Sequence, residues 1–267
     1  KHVEVRTWAA KALGGIGSVV EPVGTALPRQ HQLIEEALLK AVQSDIDLSV
    51  RLELIEALGQ IGSKKSAGLM LGILDSPFPL LQEAAIRSIA QIKPPAELVV
   101  PRLIPFLESR RLDVTAARAL GKYEEEAAEA VPFLIKQLHN ECRLPGLHGY
   151  GSMAIALGRI GDDSVLDLLV ENAIAVNHHD ADDSSVEAVC QLAIRSEKGL
   201  EALKALTKHE LKRLSTNAAK RLPEVLIERK QRAEEKAAKA AEAAAPVEEP
   251  VAAEAPAEEA AAEEKAE

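Results

Sequence analysis

A chain of 267 residues, 47% hydrophobic but only 2% aromatic, is long enough to bury a core, and that core has to be built from Leu, Ile, Val and Ala. Such material suits closely stacked helices and is poor for a β-sandwich. The net charge of −10 argues against a nucleic-acid-binding protein, no apolar run approaches the roughly 18 residues of a membrane span, and two cysteines, Cys142 and Cys190, make neither a disulfide framework nor a zinc motif.

The first predicted helix covers residues 3–16 and contains V-R-T-W-A-A-K-A-L-G-G-I-G from Val5 to Gly17. Val3, Trp8 and Leu13 sit on it with no earlier repeat to cover them, so the natural polypeptide is expected to begin before Lys1. A loop with Pro22, Gly24 and Pro28 leads to a partner helix over residues 30–42. Next comes the clearest copy, V-R-L-E-L-I-E-A-L-G-Q-I-G from Val50 to Gly62. Val50, Leu54, Ile55, Leu58 and Ile61 line one face of a helix over residues 48–61. Asp47 and Ser49 are placed to cap its start, and Gly62 to end it in the left-handed conformation. Gly59, inside the pattern, costs about 1 kcal/mol against Ala and marks a place where another helix comes close.

Further pairs follow: residues 65–74 after this helix, then 80–92 with 97–107, where Pro105 is expected to kink the second member, then 112–123 with 125–138. After a loop over residues 139–151 comes a fifth copy ending M-A-I-A-L-G-R-I-G at Gly161, and after a polar loop over 177–185 a sixth, degenerate copy over 186–197. The counterparts of Gly59 read Gly14, Ala90, Gly121, Gly158 and, in the sixth copy, Arg195. Their steps, between about 30 and 45 residues, are those of a solenoid.

The V-R-x-x-x-x-x-A-L-G-x-I-G pattern followed by a second apolar helix resembles HEAT repeats of the armadillo-like superfamily, and among them the short HEAT-like repeats of phycobilisome lyases. The resemblance covers residues 1–206. It implies an all-α fold: a right-handed α-solenoid of about six helix pairs, followed by a long solvated helix and a disordered acidic tail.

Residues 198–232 carry ten basic and four acidic side chains. A helix over 208–222 places Leu211, Leu214, Ala218 and Leu222 inward as a cap, and Pro223 is expected to break the chain after it. The expected divisions are therefore a solenoid over 1–222, a charged Ala/Glu/Lys helix over 223–245 and an acidic Ala/Pro/Glu tail over 246–267. With eight Glu and no aromatic, that tail has too little apolar surface to order itself.

Nothing in the chain carries a phosphate loop, a nucleophile elbow or a zinc-protease helix. HEAT-like deoxyhypusine hydroxylase holds two irons with several His-Glu pairs, whereas this chain has one, His209-Glu210. The expectation is a non-enzymatic scaffold without a cofactor, a monomer taking a protein or an extended peptide on the concave face made by the second helices, with neither nucleic acid nor membrane as partner. A cytoplasmic setting is expected, with export left open by the processed or truncated start. An alternative is a HEAT-type subunit of a phycobilin-lyase-like enzyme. A weaker one is metal binding by His139, Cys142 and His148 or by His178, His179 and Asp180, whose spacings match no standard site.

Overall fold

The computed structural model describes residues 2–19, 29–141, 150–175 and 184–244. Among them there is no strand. The helices are α1 (Val3–Val19), α2 (Arg29–Ser44), α3 (Leu48–Ile61), α4 (Ala67–Ile73), α5 (Pro79–Ile92), α6 (Ala96–Leu103), α7 (Asp113–Gly121), α8 (Val131–Glu141), α9 (Tyr150–Ile160), α10 (Leu166–Ala175), α11 (Ser184–Arg195), α12 (Glu197–Leu206) and α13 (Lys212–Ala244).

Local chemistry sets the ends. The Asp47 carboxylate accepts from the amides of Ser49 and Val50, and Gly62 closes α3 at φ 72°. Ser49 lies inside the helix, so Asp47 caps alone. Ser63 caps the 3-10 turn that leads into α4, and Ser196 caps α12. Pro79 opens α5, where its missing amide costs nothing. At Pro105 the expected kink takes the form of a change in winding: α6 ends at Leu103 and the chain continues as a 3-10 turn over Ile104–Glu108.

The odd-numbered helices form one row, α1 on α3, α3 on α5, α5 on α7, α7 on α9 and α9 on α11. Each even-numbered helix from α2 to α10 packs on the row helix of the following repeat or on the turn before it, and α12 folds back on α11. The apolar side chains facing inward, among them Leu58, Ile86, Leu120, Leu157 and Leu192, are fully buried and make one continuous core. Burying each such side chain contributes about 1.5–3 kcal/mol, so the stack is held by many equal layers.

Three expectations need correction. Helix α13 runs through Pro223 without a break. Pro223 lies on its exposed side, as does Ala219, whose carbonyl loses its helical donor there and faces water. The buried stripe is Leu214, Ala218 and Val225, with Leu211 exposed ahead of the helix. The chain's two compact units are Lys1–Arg229 and Lys230–Glu267.

The third correction concerns the sixth repeat. A Cβ on Gly14 would meet Ala57, on Gly59 Ser88, on Gly121 Ala156 and on Gly158 Ala188. In the first three contacts the residue met lies two before the next repeat's counterpart of Gly59. By the same rule Ala188 assigns that position to Cys190, so the sixth copy reads A-V-C and not A-I-R. Arg195 instead reaches back to Glu124, at 2.7 Å.

Candidate functional site

The row helices repeat a simple contact. The residue two before the glycine position is always small: Ala12, Ala57, Ser88, Ala119, Ala156 and Ala188. All but Ala12 are buried, each within the row. A Cβ at Gly121 would stand 3.1 Å from the Ala156 Cα, and one at Gly158 would fall on the Ala188 carbonyl oxygen. Backbones approach to the limit there, which fixes the register of one repeat on the next.

Outside this row the second helices keep large apolar side chains in solvent. Leu33 on α2, Leu98 on α6 and Phe133 on α8 are 59%, 55% and 41% exposed. Beside them run charged pairs between neighbouring repeats: Arg102 with Asp75 at 2.7 Å and Lys136 with Glu108 at 2.8 Å. Such exposed pairs contribute at most about 1 kcal/mol each. The Lys136 ammonium holds the Glu108 carboxyl below its ordinary value.

A cleft of about 480 Å³ opens where the turns after α3, α5 and α7 meet, lined by Lys64, Ala67, Ile92 to Ala96 and Glu126. Lys93 enters it from a left-handed backbone at φ 54°. Two lysines, one carboxylate and apolar walls make a mixed surface without a convergent set of ligating or nucleophilic groups.

Of the predicted metal candidates, only His139 is among the described residues. It sits in the last turn of α8, exposed, with Nδ1 2.8 Å from the Ile135 carbonyl oxygen. Cys142, His148, His178, His179 and Asp180 lie outside the described residues, and among the described ones no group of three His, Cys, Asp or Glu is placed to hold a metal ion. Cys190 is fully buried; burial pushes its thiol up to about 12, Glu187 adding to the rise and Arg221 opposing it. A thiol so placed is a core group, not a nucleophile.

Comparison with known proteins agrees with this geometry. Residues 34–114 match the HEAT repeats family model. The chain folds as a HEAT-repeat solenoid. No curated protein matches it. Among solved structures, the complex of CpcE and CpcF of phycocyanin lyase from Nostoc sp. PCC7120 aligns at a TM-score of 0.52 and 18% identity, over 84% of this chain and 90% of that one. Two engineered proteins align at TM-scores of 0.45 and 0.44, with 20% and 19% identity, over 84% and 85% of this chain and 65% and 93% of theirs. At these identities the likeness is one of fold. Among the described residues of the HEAT solenoid and its following helix, none of the helices is long and apolar enough to cross a membrane.

The exposed positions Leu98 and Phe133 are the ones that sequence reasoning passed over. Both lie in apolar runs, L-V-V-P-R-L and V-P-F-L-I, where neighbouring side chains compete for the interior and periodicity alone does not say which is left out.

Proposed function

We propose that this HEAT solenoid is a non-catalytic scaffold that takes a protein or an extended peptide on the face formed by its second helices. The observation that carries the reading is the exposure of Leu33, Leu98 and Phe133 on the second helices α2, α6 and α8, which have already buried their other side against the row. Large apolar groups among interspersed ion pairs are the composition of a protein-recognition surface: apolar anchors, with a charged rim that sets register. Comparative capture from the native source tests it, with the whole chain and a Leu98→Glu, Phe133→Glu variant as baits. The expected result is a partner retained by the first bait and depleted at least about tenfold on the second. Equal recovery on both baits overturns the assignment of this face.

A second reading, as the HEAT-type subunit of a bilin lyase, draws on one specific observation, the fold shared with a chain in the phycocyanin lyase complex. Its test is optical. A bilin held by the chain gains a structured visible absorption band on mixing, and a spectrum equal to the sum of free pigment and protein counts against it.

A further inference from the structure

The row helices run in one direction: Glu56 of α3 pairs with Arg87 of α5 at 2.7 Å, and a Cβ on Gly59 would meet Ser88 and Gln91. The turns before α3, α5 and α7 therefore share one edge of the solenoid. Each of these helices has a row neighbour on both sides, so a side chain left in solvent on this edge is not the open end of a stack. Ile46, before α3, is 96% exposed, and Phe78 and Leu80, at the start of α5, are 48% and 44% exposed.

Both turns present their apolar side chain on a fixed backbone. Asp45 accepts from the Asp47 amide at 3.0 Å and from the Arg6 side chain, and Asp47 caps α3, so Ile46 stands between two engaged carboxylates. One repeat on, Ser76 takes the place of Asp45 and accepts from the Phe78 amide at 3.3 Å. Phe78 then occupies the N-cap of α5, where α3 has Asp47, and its side chain makes no capping bond. An aromatic at that position gives the helix nothing.

The change from Asp45 to Ser76 also leaves a charge over. Arg6 bonds to Asp45, whereas its counterpart Arg51 has Ser76 in the corresponding place, bonds to no carboxylate and keeps its Nε buried without a partner. Before α7, Arg110 and Arg111 are exposed and likewise unpaired among the described residues. The carboxylates nearby are engaged, Asp75 with Arg102, Glu108 with Lys136 and Asp113 with the Val114 amide. The chain's net charge of −10 is screened over about 8 Å at 0.15 M salt, so these three arginines set the local field. Neighbouring helices stand about 10 Å apart, which an extended chain spans in about three residues.

We infer that the edge formed by the turns before α3, α5 and α7 binds an extended acidic segment of another protein, with two large apolar side chains on Ile46 and Phe78 and carboxylates on Arg51, Arg110 and Arg111. The chain's own acidic residues 246–267 include no apolar side chain larger than Val, a poor match for anchors of this size. The edge is distinct from the face of the second helices, and the inference stands without that reading.

A phage-displayed library of random short peptides, selected on the immobilised full chain, provides the test. The strongest binders are then remade with a fluorescein label and titrated by fluorescence anisotropy. The enriched sequences are expected to combine Asp or Glu with two large apolar residues, and their binding to weaken as salt rises. Affinity should fall at least about tenfold with Phe78→Ser and with Arg111→Glu, both at exposed positions that leave the core intact, and with Arg51→Gln. Leu98→Glu, on the other face, should leave it unchanged. No enrichment, enriched peptides without acidic residues, affinity indifferent to Phe78→Ser or to Arg111→Glu, or loss of binding with Leu98→Glu overturns the inference. Two further results replace the occupant and so overturn it as well. One is displacement of the labelled peptide by a synthetic peptide of residues 246–267, which assigns the edge to the chain's own acidic end. The other is self-association of the chain that Phe78→Ser abolishes, which assigns it to a second copy.

Discussion

Lys93 and Glu124 occupy the same place in their repeats, three residues past the glycine position, that Gly62 and Gly161 occupy in theirs, and all four have positive φ. For a residue with a Cβ that backbone costs about 1–2 kcal/mol. Lys93→Gly is therefore expected to raise the unfolding free energy by about 0.5–1 kcal/mol, after allowance for the greater freedom of glycine in the unfolded chain. Glu124→Gly should do the reverse, because the Glu124 carboxylate pairs with the Arg195 guanidinium, whose side chain is 7% exposed. Removing one member of such a pair costs more than the backbone relief returns, and a net loss of about 1–2 kcal/mol is expected in urea melts of the two variants. Cys190 offers a second check at this scale. Its folded value near 12 lies above the ordinary thiol value of 9.0. The folded state therefore favours the neutral thiol: this contribution is fully present below about pH 9 and is lost as pH rises toward 12. At pH 8, residue-resolved alkylation is expected to spare Cys190 in the native chain and to label it in denaturant; labelling of the native protein would contradict its core placement.

At the level of helix on helix, the glycines separate by what stands opposite them. Gly158→Ala drives a methyl into the Ala188 carbonyl and is expected to cost about 2–3 kcal/mol. Gly121→Ala, 3.1 Å from the Ala156 Cα, should cost less, and Gly121→Leu or Gly59→Leu about 1–3 kcal/mol. Gly68, in α4, has nothing within 4 Å of its would-be Cβ, so Gly68→Ala should stabilise by up to about 1 kcal/mol. Thermal melts that failed to rank Gly158, Gly121 and Gly68 in this order would break the stacking rule. This rule was legible in the sequence as A-L-G, because a helix that must touch its neighbour through backbone can use only small residues there. The sixth copy was misread for the same reason. A-V-C has lost the glycine, while A-I-R five residues on preserves the small-apolar rhythm, and only the contact of Gly158 with Ala188 separates them. Pro223 misled differently: the expected break rested on the lost hydrogen bond and ring clash of a proline inside a helix, whereas here Pro223 and Ala219 lie on the exposed side and α13 runs on. The exposed anchors Leu98 and Phe133 were hidden because a second helix with apolar residues on several sides does not announce which side meets water.

Across the whole molecule, the end of the stack is decided by how far the contact side of α13 extends. Leu214, Ala218 and Val225 are fully buried, and one turn later Arg229 donates to the carbonyl oxygens of Ala193 and Ser196, capping the end of α11. From Lys230 onward the helix has no buried side chain among the described residues, and the second compact unit begins there. The charge change at the same point follows from this: a side that packs needs a few apolar residues and arginines with defined partners, here Arg213, Arg221 and Arg229, and one that does not is free to be Ala, Glu and Lys. Ending the chain after Arg229 is thus expected to leave the unfolding transition unchanged. Ending it after Leu211 removes the cover from the last row helix and three buried side chains of the core. Each such loss of apolar burial is worth about 1–3 kcal/mol, so the transition of the shorter chain should fall by several degrees, with Cys190 becoming open to alkylation in the folded state. If both truncations melt alike, α13 is an appendage and the solenoid ends with α12.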